Sequence, residues 1–283
     1  MLTAPLAGTT TRPVPTADGP RRRGRRYGLL AAGVAGVLTI AGCTSDAPAA
    51  TADGELYAGT HCGVVRVSDD GELTRIADRV RDFMGFTVIG PKHYLASGHP
   101  GEGQDGPGNL GLIESTDGGK TWETLSLAGE ADFHALDAAD GVIYGYSGGR
   151  LLVSEDGVEW ADRGEMGIAD LAVDPTDPQR LLATTEAGLV VSEDAGKNFT
   201  AVPGALLVLV DIADDGASAV GVARDGTVFA SSDGGRTWAE RGTVDGAPEA
   251  ATVDGEKVYV AVEGAVLSST DGGETFTELY RES

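Results

Sequence analysis

From Glu55 onward the apolar positions fall into short runs with the alternation or continuous burial of β-strands, each closed by Gly, Asp or Pro. One stretch shows the whole unit. Ile168-Ala169-Asp170-Leu171-Ala172-Val173 reads as an inner strand, and Asp174-Pro175-Thr176-Asp177-Pro178 as a turn. Arg180 to Thr185 is a second strand, Gly188 to Val191 a third, and Asn198 to Val202 a fourth. The same signals occur earlier at Phe86 to Ile89, Tyr94 to Ser97, Leu110 to Glu114 and Trp122 to Leu125. No helical periodicity is present after the first 54 residues, so the pattern predicts an all-β chain.

A recurring octet punctuates these strands. Ser115–Trp122 reads S-T-D-G-G-K-T-W, Ser192–Phe199 S-E-D-A-G-K-N-F, Ser231–Trp238 S-S-D-G-G-R-T-W and Ser269–Phe276 S-T-D-G-G-E-T-F. Ser154–Trp160 is one residue short, and Ser68-Asp69-Asp70-Gly71 is a degenerate copy. The lead serines are spaced by 47, 39, 38, 39 and 38 residues. A period near forty with four strands per repeat implies a six-bladed β-propeller. Within each octet the carboxylate can accept hydrogen bonds from the following N–H groups, and the glycines supply positive φ. The closing aromatic is suited to packing between neighbouring sheets. These octets resemble the Asp-box, or BNR repeat, of sialidases, sortilin-type receptors and some glucan hydrolases. The resemblance implies a fold and leaves function open.

The N-terminus has a different composition. Arg21, Arg22, Arg23, Arg25 and Arg26 precede an apolar run from Leu29 to Ala41, too short to span a bilayer comfortably and shaped like a signal-peptide core. Ile40-Ala41-Gly42-Cys43 resembles a bacterial lipobox, which implies cleavage before Cys43 and a diacylglycerol on its thiol. Arg25-Arg26 also fits a twin-arginine export signal loosely. The expected layout is a signal peptide over 1–42, a tether over 43–53 and a propeller over 54–283. The expected location is the extracytoplasmic face of the cell membrane, as a lipid-anchored monomer.

Charge agrees with export and excludes some partners. Residues 1–42 carry six of the 21 basic and one of the 44 acidic residues, so 15 bases face 43 acids in the remainder, a formal charge of −28. Such a surface repels nucleic acid. With Cys43 lipidated, Cys62 is alone and no disulfide framework exists.

The first repeat is the exception to the pattern. Leu56–Thr60 and Val64–Val67 supply a second and a third strand, but no inner-strand signal precedes them, which predicts an incomplete first blade. Gly85–Pro91 (G-F-T-V-I-G-P), Leu95–Pro100 (L-A-S-G-H-P), Leu110–Gly119 (L-G-L-I-E-S-T-D-G-G), Gly129–Leu136 (G-E-A-D-F-H-A-L) and Gly149–Ser154 (G-R-L-L-V-S) are similar to a group of actinobacterial lipoproteins described as glycosyl-hydrolase-like. That resemblance implies a His-containing first inner strand and hydrolysis of a polysaccharide.

Propeller topology sorts the loops onto two faces. Asp-boxes join third to fourth strands on one face. Loops from second to third strands, and from fourth strands to the next blade, lie on the other. His61, Cys62, His99, the Gly101–Gly108 insertion, Asp132 and His134 fall on that second face, with Phe83, Met84, Tyr146, Asp170, Glu186, Arg224 and Glu263; His93 falls on the first. His61, His99 and His134, with Tyr146, form the candidate ligand site. The three imidazoles are also the candidate ligands for a transition metal such as zinc or copper, softened by Cys62 or Met84. Asp132, Asp170 and Glu186 are the candidate catalytic carboxylates for glycoside cleavage.

Sialidase activity is not expected, because the inner strands read without arginine and the F-R-I-P opening of that family is missing. Gly145-Tyr146-Ser147-Gly148-Gly149 fits G-x-S-x-G without the strand–turn–helix context, and Gly101, Gly103 and Gly106 fit G-x-G-x-x-G without a following helix. Asn198-Phe199-Thr200 is a glycosylation sequon only in a eukaryotic secretory route, which the lipobox contradicts. Two functions remain: a lipid-anchored propeller that binds a glycan, metal or protein partner on the His-bearing face, or a glycoside hydrolase.

Overall fold

The computed structural model describes residues 49–52, 55–61, 63–77, 81–101, 103–204 and 206–282. The expected signal-peptide core, the expected lipidation site Cys43, and Cys62 lie outside the described residues. The described chain forms six four-stranded antiparallel sheets, each following chain order. Blade one is β1 (Ala49–Ala52), β2 (Glu55–Thr60), β3 (Gly63–Val67) and β4 (Leu73–Ile76); blade two is β5 (Arg81–Gly90), β6 (His93–Pro100), β7 (Leu112–Ser115) and β8 (Glu123–Ser126). Blade three is β9 (Ala135–Ala139), β10 (Val142–Ser147), β11 (Arg150–Ser154) and β12 (Ala161–Glu165), and blade four β13 (Ile168–Val173), β14 (Leu181–Thr185), β15 (Gly188–Ser192) and β16 (Thr200–Ala201). Blade five is β17 (Leu207–Ile212), β18 (Ala219–Ala223), β19 (Thr227–Ser231) and β20 (Ala239–Thr243); blade six is β21 (Pro248–Asp254), β22 (Lys257–Val262), β23 (Ala265–Ser269) and β24 (Thr277–Arg281).

The first strand of each blade lies innermost. β5, β9, β13, β17 and β21 follow one another around the axis, and β1 touches both β5 and β21, so the ring is closed. No helix among the described residues is long and apolar enough to cross a membrane.

Two expectations need correction here. The first blade is complete: Ala49–Ala52, assigned above to the tether, pairs with β2 from Ala49↔Ala58 to Ala52↔Glu55. Its A-A-T-A sequence carries no strand signal, since β-propensity reflects packing against neighbours and small residues offer little to pack. The inner strands are also not free of arginine, because β5 begins at Arg81, five residues before the apolar run that marked it.

The cores lie between blades. Among the described residues, Leu95, Leu112, Phe133, Leu136 and Ile143 join blades two and three, and Tyr144, Leu151, Leu171 and Leu181 join blades three and four. Ala172, Leu182, Leu189, Leu207 and Val210 join four and five. Leu56, Val67 and Tyr259 join blade six to blade one. The octet aromatics enter these layers half-buried: Trp122, Trp160, Phe199, Trp238 and Phe276 each pack on one of them.

The octets have the expected turn chemistry. In Ser231–Trp238, the Ser231 hydroxyl donates to Asp233 Oδ1 at 2.7 Å and accepts the Gly235 N–H at 2.9 Å. Asp233 then takes the Thr237 N–H at 2.8 Å and the Thr237 hydroxyl at 2.7 Å, and the Trp238 indole donates to the Gly235 carbonyl at 3.0 Å. Gly234 and Gly235 sit at φ of 68° and 79°. At the equivalent of Gly234, blade four has Ala195, forced to φ 59°. Donated hydrogen bonds, first among them that from the following Thr or Asn side chain, hold Asp117, Asp194 and Asp233 down to about 2. Buried Arg180 pairs with Asp174 and donates to the Gly234 carbonyl, tying the blade-four turn to the blade-five octet.

Candidate functional site

The face opposite the Asp-boxes is built around one well-anchored loop. Phe133 is fully buried, its ring 4.9 Å from that of Trp160. Gly145 leaves no room for a side chain over that ring, and a Cβ at Gly85 would meet the Phe133 carbonyl. The flanking backbone is held as well: the Asp132 N–H donates to Ser147 Oγ at 3.0 Å, the Phe133 N–H to Ser97 Oγ at 2.9 Å and the His134 N–H to the Tyr146 carbonyl at 2.9 Å. Ser147, the serine of the G-x-S-x-G pattern, is thus a positioning residue for Asp132. The Tyr146 ring packs against the core between blades three and four, and its contribution here is the carbonyl.

With the loop fixed, two histidines converge on Asp132. His99 Nε2 lies 3.3 Å and His134 Nε2 3.0 Å from Asp132 Oδ2. Asp132 is 15% exposed, and its Oδ1 is enclosed with no hydrogen-bond partner among the described residues. His99 Nδ1 contacts the Gly108 carbonyl at 2.8 Å, linking the Gly101–Gly108 insertion to this cluster. On the other side, Asp82 stands directly across the β5–β6 pair from His99 and bonds His61. The three imidazoles therefore belong to one row, interleaved with two carboxylates, in the order His61, Asp82, His99, Asp132, His134. Among the described residues no three His, Cys, Asp or Glu side chains are set to hold a metal ion.

His134 also lines the central channel, a cavity of about 410 Å³. Met84, turned inward at a β-bulge in β5, and Arg224, on the β18–β19 turn, line it with Pro248 and Glu249. Arg224 is exposed and makes no ion pair among the described residues. Glu186 is exposed on the β14–β15 turn. His93 bonds Glu114 on the Asp-box side, where topology places it.

Deeper in the channel lie three aspartates, each from a different inner strand. Asp137 Oδ2 accepts the Val173 N–H of the next blade at 2.8 Å, and its Oδ1 accepts the Thr87 hydroxyl of the previous one at 2.9 Å. Asp170 Oδ2 accepts the Val210 N–H at 2.9 Å, and Asp211 Oδ2 accepts the Thr252 hydroxyl and the Val253 N–H, both at 2.8 Å. Burial pushes all three up, and the Asp137 charge adds to the effect on the other two, taking Asp170 and Asp211 to about 7. The expected carboxylate set is thus divided. Asp170 belongs to this triad, Asp132 to the rim, and Glu186 to a solvent-exposed turn.

Sequence reasoning singled out Asp170 and missed Asp82, Asp137 and Asp211. A signal existed for the channel pair: a lone acid inside an apolar inner strand, as in A-L-D-A-A and L-V-L-V-D-I. Such a position is costly unless its oxygens are hydrogen-bonded.

Comparison with known proteins agrees with this architecture. Residues 113–124 match the BNR/Asp-box repeat. No curated protein matches the chain. A GH74 xyloglucanase from Xanthomonas campestris is similar in structure, at 17% identity and a TM-score of 0.53, over 80% of this chain and 43% of that one. A chain of a nidogen/laminin complex is similar over 79% of this chain and 91% of its own length, at 12% identity and a TM-score of 0.60. PorZ, a surface component of the type-IX secretion system of Porphyromonas gingivalis, is similar at 13% identity and a TM-score of 0.52, over 83% of this chain and 33% of that one. At these identities the likeness is one of fold.

Proposed function

Taking the chain as a six-bladed propeller of BNR/Asp-box repeats, we propose that it is an extracytoplasmic protein, lipid-anchored through Cys43, that binds a glycan or protein ligand at the channel mouth opposite the Asp-boxes. The observation that carries this reading is the meeting of His99 and His134 on Asp132, with His134 lining the cavity. His134 lines the open cavity and its Nε2 is held by Asp132, so a ligand hydroxyl or amide entering the channel meets an imidazole already fixed in place. His134 offers its second ring nitrogen to the same ligand, and Arg224 an exposed guanidinium that makes no ion pair among the described residues.

A glycoside hydrolase is the second reading, favoured by one observation. Asp170 and Asp211, at about 7, hold protons near neutrality, as a general acid must. Their oxygens are taken up by backbone N–H groups of the next blade, which makes them clamps first. Binding is therefore the preferred reading.

Titration calorimetry of the purified protein against a panel of oligosaccharides, with reducing-sugar release measured in parallel, tests both. Binding lost in His134→Ala, with an unchanged melting temperature and no sugar release, is the expected result. Equal affinity of the wild type and His134→Ala for every ligand that binds would remove the rim from the reading. Sugar release abolished by Asp170→Asn would establish the hydrolase instead.

A further inference from the structure

We propose that the anchor holds the channel mouth, not the Asp-box face, toward the bilayer; this rests on lipidation of Cys43 in the reading above. The direction of β1 carries the argument. Ala49 pairs with Ala58 and Ala52 with Glu55, so β1 runs antiparallel to β2, which ends at Thr60 beside the turn that bears His61. The chain therefore enters the ring on the face of His61, His99 and His134, and runs through it toward the Asp-boxes.

Chain length then limits how the propeller can sit. Cys43 is six residues before Ala49. Even fully extended, that segment reaches roughly 20 Å. To turn the Asp-box face to the bilayer, it would have to pass from β1 over the edge of blade one and down its side. Crossing from β1 to β4 spans three strand spacings, roughly 14 Å, and descending a five-residue strand adds roughly 16 Å. That path is longer than the tether before any lipid is reached. Returning through the channel consumes most of the reach and fills the cavity. Face-down and tilted orientations remain, and in both the Ala49 end of β1, on the face of the rim row, lies within about 20 Å of the membrane surface.

This geometry narrows the ligand class for the site. A protein with a formal charge of −28 after residue 42 has no electrostatic attraction to anionic headgroups, so the tether sets its orientation. The mouth then opens onto the layer between propeller and bilayer. It serves ligands presented at the membrane surface, such as a membrane-attached glycan or the exposed segment of a membrane protein, ahead of bulky polymers free in solution.

The test uses full-length, lipidated protein in phosphatidylcholine vesicles carrying a quencher on their headgroups. In a Cys62→Ser background, a thiol fluorophore is placed on the mouth face by Glu186→Cys or Glu263→Cys, or on the Asp-box face by Lys197→Cys or Ser232→Cys. All four positions are exposed. The mouth-face reporters are expected to be quenched several-fold more strongly than the others. Equal or reversed quenching with Cys43 acylated, as shown by mass spectrometry, overturns the orientation and leaves the anchor standing. An unmodified Cys43, or a Cys43→Ala variant that still sediments with vesicles, overturns the anchor. A long Gly/Ser insert between Asp46 and Ala47 should erase the contrast. A contrast that survives the insert refutes the tether argument.

Discussion

The channel aspartates make stability depend on pH in an unusual sense. In the unfolded chain Asp170 titrates near 3.8, and in the folded protein at about 7. Between those values the native protein holds more protons than the unfolded chain, so stability declines as pH rises through this window. A difference of this size corresponds to roughly 4 kcal/mol per carboxyl. Asp170 and Asp211 are half-buried and line the open channel, so that figure is an upper bound, and a combined loss of about 3–4 kcal/mol is more realistic. The Asp-box carboxylates act oppositely. Asp117, Asp194 and Asp233, at about 2, contribute stability that is present above pH 4 and lost as pH falls toward 2. Maximum stability is thus expected near pH 4–5, with decline on both sides. Urea unfolding midpoints at a series of pH values measure this directly. Asp170→Asn turns an amide donor toward a backbone N–H and should cost about 1–3 kcal/mol at pH 5. It should also flatten the decline toward pH 8, where the variant approaches or exceeds the wild type. A wild-type midpoint that rises from pH 5 to pH 8, or an Asp170→Asn curve parallel to it, would refute the reasoning.

Two further predictions concern the repeats. Trp238→Ala removes a half-buried ring and its bond to the Gly235 carbonyl, and should cost about 3 kcal/mol in calorimetric or denaturant unfolding. Ala195→Gly relieves a left-handed alanine in the blade-four octet and should raise stability by about 1 kcal/mol, seen as a higher melting temperature.

The ring was legible because its information is local and repeated. Each octet specifies a turn by residues within eight positions, and a serine recurring near every thirty-nine residues fixes the blade. β1 was not legible, since Ala49–Ala52 becomes a strand only because β2 offers it an edge. The rim was half legible. Topology placed His61, His99 and His134 on one face, but their pairing with Asp82 and Asp132 depends on the ten-residue length of β5 and on Phe133 docking beneath the loop. Asp137 and Asp211 carried a signal, a lone acid in an apolar strand, but its meaning was not legible because the N–H partners lie about forty residues away.

The core between blades six and one has a consequence for how the molecule comes apart. Among the described residues its buried members are Leu56, Val67 and Tyr259, with Leu73, Val266, Leu279 and Tyr280 partly buried against them, whereas the layer between blades five and six has eleven buried residues. No strand crosses from blade six to blade one, and each sheet is a contiguous stretch of chain. The ring therefore has a seam, sealed by side-chain packing and the contact of β1 with β21 rather than by a shared sheet. During folding this contact is the last to become possible, because it joins the two most distant parts of the fold. Under thermal load this seam is expected to yield first, opening the circle into an arc of otherwise intact blades and widening the channel beside β1.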